Sequence, residues 1–220
     1  MPGREPALDY EAITGAAIAL ADLDGLDAVS MRKIADRVDS GTMSLYRYVN
    51  GKDDLIELMY DSALGELELA EHPVADWRTE LAELARRSRR LCHRHPWISR
   101  IGQRPTMGPN AVRMMEYAMA SVDGLGLTVD GMLDLVSTTM HFTQGYVQAE
   151  LTEAEARRRT GTDEATWREV VAPYLKELLG DGRHPYLGRI IAEADNDAHP
   201  DVVFERRLAM VLEGLAHGLP

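Results

Sequence analysis

Cysteine is nearly absent, since Cys92 is the only one in 220 residues. A single thiol excludes an intramolecular disulfide framework and a cysteine-rich zinc site. Aromatic residues are scarce at 6%, whereas Ala, Leu, Glu, Arg and Met are plentiful, so an aliphatic, helical core is expected. No apolar run approaches the roughly 18 residues that span a bilayer, and no membrane partner is expected. The opening Met-Pro-Gly-Arg-Glu-Pro lacks the apolar centre of a signal peptide, so a reducing, cytoplasmic setting is the simplest expectation. Positive charge is also in short supply: 24 Lys and Arg face 36 Asp and Glu, a net charge of −12. That acidity does not exclude nucleic acid, because only the charge at the contacting face matters.

Catalytic signatures are missing as well. There is no Gly-x-Ser-x-Gly nucleophile elbow, phosphate-cradling glycine loop or His-Glu-x-x-His zinc motif. The paired Glu-x-x-His of helical di-iron sites is absent too. Cys92 and His93 are adjacent on a helix and do not face each other. The run from Arg86 to Arg94 is explained by a solvated helix face. The chain is therefore expected not to be an enzyme and to need no cofactor or metal.

What is present is helical periodicity almost throughout. Tyr10, Ile13, Ala17 and Leu20 share a face of a first helix that stops near Asp24-Gly25. Ser30 can cap a short second helix carrying Met31, Ile34, Ala35 and Val38 inward. After the break at 39–41, Thr42 to Val49 reads as another short helix, and a longer one runs from Lys52 to about Ala70. His72-Pro73 closes this unit, giving expected domains of 1–70 and 71–220. In the second, Trp77, Leu81, Leu84, Ser88 and Leu91 form one stripe, with Arg86, Arg87, Arg89 and Arg90 on the opposite arc. Val112, Met115, Met119 and Val122 form another. Residues 128–150 are apolar on several faces, which predicts a helix buried inside a bundle, whereas 153–162 read as polar and irregular. Helices near 163–179 and 184–195 follow. Phe204, Leu208, Val211, Leu212 and Leu215 mark the last amphipathic helix.

The spacing from Ser30 to Val49 is that of a helix-turn-helix, whose second helix can lie across a major groove. Thr42, Ser44 and Arg47 are its groove-facing candidates, with Met43 as an apolar tip for a thymine methyl. Tyr46, Tyr48 and Lys52 suit phosphate oxygens, as does Arg32 or Lys33. Five basic residues (Arg32, Lys33, Arg37, Arg47, Lys52) face two acidic ones between Ala28 and Lys52. Over residues 1–65 the balance reverses, with six basic against twelve acidic. On pattern alone the same residues also fit two ordinary short helices of a bundle.

The stretches from Ser30 to Val38, Gly41 to Val49 and Gly51 to Leu55 resemble the TetR family of bacterial transcriptional repressors. Leu45-Tyr46-x-Tyr48-Val49-x-x-Lys52 is the most telling piece. The resemblance implies base-edge contacts from Arg32, Thr42, Met43 and Ser44, and phosphate contacts from Ser30, Tyr46, Tyr48 and Lys52. Asp39 and Ser40 depart from the usual glycine and aliphatic residue of the turn, and only Arg4 is available as a basic arm. Trp77, Gly102-x-Arg104-Pro105-Thr106 and His141-Phe142-Thr143-x-Gly145 resemble the regulatory domain of the family's tetracycline repressors. That implies an all-α protein, with an N-terminal three-helix DNA-binding domain and a C-terminal helical bundle for ligand binding and dimerisation. The homodimer would form through segments near 128–157 and 201–218. The implied pocket includes Leu84, Ser88, Arg100, Arg104, Met115, Met119 and Met140, suited to a small organic effector with an anionic or carbonyl handle. Where those repressors hold magnesium through a His and a Glu, this chain has Arg100 and Ala149, so Mg-tetracycline is not the expected effector. The implied mechanism is a repressor bound as a homodimer to a palindromic DNA operator and released by its effector, with the Arg104-Pro105 turn as transmitter. The rival expectation is a helical dimeric ligand-binding or interaction protein that has lost DNA binding, suggested by the acidity of residues 1–65.

Overall fold

In the computed structural model, residues 8–101, 108–180, 182–194 and 199–219 are described. Among them the secondary structure is helical throughout, without strands. Helix α1 spans Tyr10–Asp24 and starts where the Asp9 carboxylate accepts the Ala12 N–H at 2.8 Å. Helix α2 spans Met31–Arg37, capped by Ser30 Oγ, and α3 is only Thr42–Leu45. Helix α4 covers Lys52–Leu64. The larger part follows with α5 (Trp77–Arg94), α6 (Pro109–Ser121), α7 (Val129–Thr160), α8 (Glu164–Leu178), α9 (Pro185–Glu193) and α10 (Pro200–His217).

Two apolar clusters organise these helices. The first gathers Ile13, Ala17, Ile34, Leu45, Leu55 and Met59 from α1–α4. It also takes in Leu91 from the end of α5, and Trp97 and Ile98 from the 3-10 turn that follows. The second packs Trp77, Leu81 and Leu84 of α5 against Leu135 and Val136 of α7 and Phe204, Leu208 and Leu212 of α10. Leu67 and Leu69, beyond α4, lie on the way between them, so the connection is itself packed.

Several sequence expectations are corrected here. The segment 42–49 is helical only to Leu45; Tyr48 and Val49 turn back to donate to the Leu45 carbonyl, which drives Val49 inward. Helix α4 stops at Leu64 rather than near 70, because Leu67 leaves the helical path to enter the core. The segment 153–162 is not irregular: α7 continues as 32 residues to Thr160, ending where Gly161, at φ 67°, donates to the Arg157 carbonyl. Its Ala, Glu and Arg residues are strong helix formers, and their polarity reflects solvent rather than irregular backbone. Nor is α7 enclosed on several faces; Leu135, Val136, Thr139, Thr143 and Val147 form a single buried stripe. On α6, Val112 and Met115 face solvent while Tyr117, Ala118 and Ser121 are buried.

The turn of α6 follows from a buried polar knot. Glu80 accepts the N–H groups of Val74 and Ala75 at 2.8 Å each and the Tyr117 hydroxyl at 2.5 Å. Burial opposes ionisation of Glu80, but these three donors outweigh it and lower its pKa. Burial, then the Glu80 bond, pushes the Tyr117 phenol up to about 12. A second knot joins the two parts. The buried Asp61 carboxylate of α4 accepts the N–H groups of Asn110 and Ala111 at 3.1 and 2.9 Å, capping α6. Gly108 makes this possible, because a Cβ there would lie 2.3 Å from the Asp61 carboxyl carbon.

Gly108→Ala is therefore expected to force Asp61 off the start of α6 and destabilise the protein by about 1–3 kcal/mol, read by thermal unfolding. Glu80, with its folded pKa below that of the unfolded chain, contributes stability above the ordinary carboxylate range. That contribution is lost as pH falls through the folded value. Glu80→Gln should thus be less stable than the parent near neutrality and show a shallower acid limb in denaturant titrations at stepped pH.

Candidate nucleic-acid interface

The turn between α2 and α3 shows why Asp39 can stand in place of glycine. It adopts φ 49°, a left-handed conformation that Asp tolerates better than most side chains, and the Ser40 N–H donates to the Ala35 carbonyl at 3.0 Å. The buried Ile34, Ala35, Leu45 and Val49 then lock α2 and α3 together. With these inside, the rest of α3 faces out. Met43 is 79% exposed and Tyr46 47%, with Thr42 and Ser44 half-buried beside them.

The structure sets the expected phosphate ligands apart from one another. Ser30 Oγ accepts the Lys33 N–H at 3.4 Å, leaving its own O–H to donate outward. Lys52 Nζ bonds the Leu26 carbonyl at 3.3 Å, which uses one of its three donors. Arg32, Lys33, Arg37 and Arg47 are exposed and enter no ion pair among the described residues. Tyr48 differs: its hydroxyl donates to the Leu8 carbonyl at 2.6 Å and its ring meets Tyr10 edge-on. The donor that a phosphate contact requires is occupied within the fold. Arg37, four residues beyond Lys33 on α2, extends the same exposed basic face, as that spacing dictates.

The basic run of α5 has the opposite fate, and a solvated face is corrected. Arg89 donates to Glu150 of α7 at 2.9 and 2.7 Å and to Asp201 of α10 at 2.7 Å, with its guanidinium 4.8 Å from the centre of the Phe204 ring. Arg86 grips Glu205 through two bonds of 2.8 and 2.7 Å. Burial disfavours the Glu150 carboxylate, yet Arg89 and His93 hold its pKa down. These arginines tie three helices together instead of meeting solvent.

The residues expected to line a pocket are only partly brought together. Leu84 is buried, and Met119 and Met140 pack on the same cluster, with Ser88 half-buried on α5. Met115 is exposed. Arg100 turns away from the body and bonds Asp27 of the N-terminal part at 2.8 Å. Arg104, with Pro105, lies outside the described residues. A groove of about 1530 Å³ lies elsewhere, between α5, α7, α8 and α10, and includes His93, His141, Phe142, Tyr146, His199 and Arg207. None of the expected pocket residues lines it. Arg100 and Ala149 offer a cation and a methyl group, so neither can ligate a divalent metal.

Fold and reading surface together define a helix-turn-helix protein with a separate all-helical body. Residues 13–59 match the bacterial regulatory proteins of the tetR family, and residues 69–219 match the tetracyclin repressor-like C-terminal domain. The chain belongs to the TetR family of transcriptional regulators. It is 36% identical to the HTH-type transcriptional repressor DrrR1 of Streptomyces coeruleorubidus, over 97% of this chain and 79% of that protein. It is 28% identical to the class A tetracycline repressor of transposon 1721 from Escherichia coli, over 95% and 91% of the two chains. Among solved structures, ActR of Streptomyces coelicolor in complex with actinorhodin superposes with a TM-score of 0.81 at 27% identity, covering 97% of this chain and 98% of that one. No helix among the described residues is long and apolar enough to cross a membrane.

Arg89→Ala should leave Glu150 half-buried without its main partner and cost about 2–3 kcal/mol, less than a fully enclosed pair would. Calorimetry against Arg90→Ala, whose side chain is 62% exposed, supplies the comparison.

Proposed function

We propose that this protein is a cytoplasmic repressor that binds a palindromic DNA operator as a homodimer and is released by a small organic effector. The observation that carries the reading is the outward face of α3 beside a basic strip on a chain of net charge −12. Thr42, Met43 and Ser44 reach base edges, with Arg32 from α2 and Arg47 beside them. Ser30, Tyr46 and Lys52 hold phosphates, and Tyr48 acts indirectly by fixing α1 against the reading unit. In a dimer, two copies of α3 lie about one helical turn of DNA apart, roughly 34–36 Å.

A second copy of the chain is the occupant that the outer faces of the body fit. No described side chain of α8 or α9 is buried, although they carry Trp167, Tyr174, Tyr186 and Ile190. Met210 and Val202 are exposed on α10, and small residues, Gly145 and Ala149, are exposed on α7. Two such helix pairs can pack closely as a four-helix bundle. The division at residues 70/71 separates the reading unit from this body.

The effector site we assign to the body, around Leu84, Ser88, Met119 and Met140, where Met side chains adapt to varied shapes. Binding of actinorhodin and of (S)-DNPA to ActR supports a small organic molecule as the class. A coupling of about 1–3 kcal/mol between effector and operator would weaken DNA binding 5- to 150-fold.

Selection of bound sites from random duplex DNA, at low and moderate salt, should enrich a palindrome. On the selected site, Thr42→Ala and Arg32→Ala should relax sequence preference, by about 1–3 kcal/mol per contacted base pair. Lys52→Ala should weaken binding to all sequences and lower the salt slope by about one. Folded, dimeric protein that enriches nothing at either salt would refute the reading.

A further inference from the structure

The seam between the reading unit and the body encloses a histidine between two carboxylates. His95, directly after α5, is 4% exposed. Its Nδ1 lies 2.8 and 3.0 Å from the Asp22 oxygens on α1, and its Nε2 lies 3.1 Å from Glu66 Oε1, just beyond α4. Both carboxylates come from the N-terminal part and the imidazole from the body, so this cluster is a direct bond between them. Arg94 of α5 pairs with the other oxygen of Glu66. Trp97 Nε1 donates to Asp22 at 2.7 Å, which holds that carboxylate in place. Burial works against ionisation of Glu66, but Arg94 and His95 together lower its pKa. Asp61 and the Arg100–Asp27 pair also cross the seam, and Tyr60 of α4 and Cys92 of α5, two further titratable groups there, are both pushed upward by burial and stay neutral.

The geometry can be read by counting donors. A neutral imidazole has one N–H and one lone pair; against two carboxylates it makes one bond and one repulsive contact. An imidazolium has two N–H groups and satisfies both. The ring cannot escape to water, being enclosed on the seam, while Glu66 also keeps Arg94 and Asp22 also keeps Trp97 as bonds to the body.

We propose that His95 is an imidazolium latch that tightens the reading unit against the body, and that loss of its proton loosens this seam and weakens operator binding as pH rises. The physical cause is orientation. A dimer engages both half-sites only if each reading unit is held at a defined angle to the body. A loosened unit samples more angles and must be ordered again at the moment of binding, which lowers affinity. Protonation thereby acts on the same seam through which an effector would act, from a site separate from the effector's. The operator part of this proposal rests on the DNA-binding reading above; the latch itself does not.

The test uses the intact protein, its H95Q, D22N and E66Q variants, and the selected operator, from about pH 5.5 to about pH 9, the range in which histidine switches. Side-chain NMR, with the His95 signal assigned by its absence in H95Q, should show both ring nitrogens protonated at neutral pH. Trp97, with its ring centre 5.8 Å from that of His95, reports the same event, because an imidazolium quenches indole emission. Trp97 emission should rise with pH in the parent and not in H95Q. Operator affinity of the parent should fall roughly tenfold across the range, the size of one charge-assisted hydrogen bond, against less than about twofold in H95Q. D22N and E66Q should each flatten the pH dependence of operator binding, so the latch stays testable if H95Q fails to fold. A neutral His95 at every pH, or an H95Q that keeps the parent's pH dependence, would overturn the proposal. No binding to any DNA at any pH would overturn the operator reading, while the NMR titration would still decide the latch.

Discussion

Trp97 imposes the constraint on which the arrangement of this protein depends. It belongs to the body by sequence but is buried in the apolar cluster of α1–α4, with Leu91 and Ile98 beside it. An indole so placed needs a partner for its N–H, and Asp22 of α1 provides one. A carboxylate at such a site needs further donors, and His95 supplies them. On the other side of the seam, Asp61 of α4 meets the unpaired N–H groups at the start of α6. Apolar burial brings the two parts together, and these carboxylates determine their angle. The position of α3 relative to the body follows from that angle.

The distribution of cations follows a related rule. Arg86 and Arg89 lie among acidic partners from α7 and α10, so their charge is spent inside the molecule. Those of α2 have no such partners among the described residues and keep their charge for solvent. An acidic chain can in this way present a basic strip, because what a phosphate meets is the local field rather than the total. Asp39 fits the same picture. Its left-handed backbone forms the turn that lets α3 leave α2 at the required place.

Apolar surface is distributed unevenly too. The core of the body closes around α5, α6, α7 and α10, whereas α8 and α9 carry aromatic and aliphatic side chains with nothing over them in one chain. Patches of this kind are costly in water and mark association surfaces. In the homodimer proposed above, a second copy covering α8, α9 and α10 would also space the two copies of α3.

Much of this was legible in the residues. The helices followed from period, and Ser30 accepts an N–H bond at the start of α2 as its place before an apolar stripe predicts; Asp9 and Asp76 cap α1 and α5 in the same way in the structure. The reading unit was legible down to Leu45, Tyr46 and Lys52, because a helix-turn-helix is a local structure with local spacing. Long-range choices were not. Periodicity gave Val112 and Met115 an inward face on α6, but the Tyr117–Glu80 bond rotates that helix. It left Arg89 in water, but only the approach of α7 and α10 shows that Glu150 and Asp201 await it. It offered Tyr48 to phosphate, although Leu8, forty residues away, takes its hydroxyl. It gave no hint that His95 joins Asp22 to Glu66. Sequence by itself determined where most helices lie and which segments form the helix-turn-helix, since those depend on neighbours within a turn or two. Tertiary structure alone decided which charges are spent, which faces remain open and how the two parts are fastened, because each needs partners that the chain brings together only on folding.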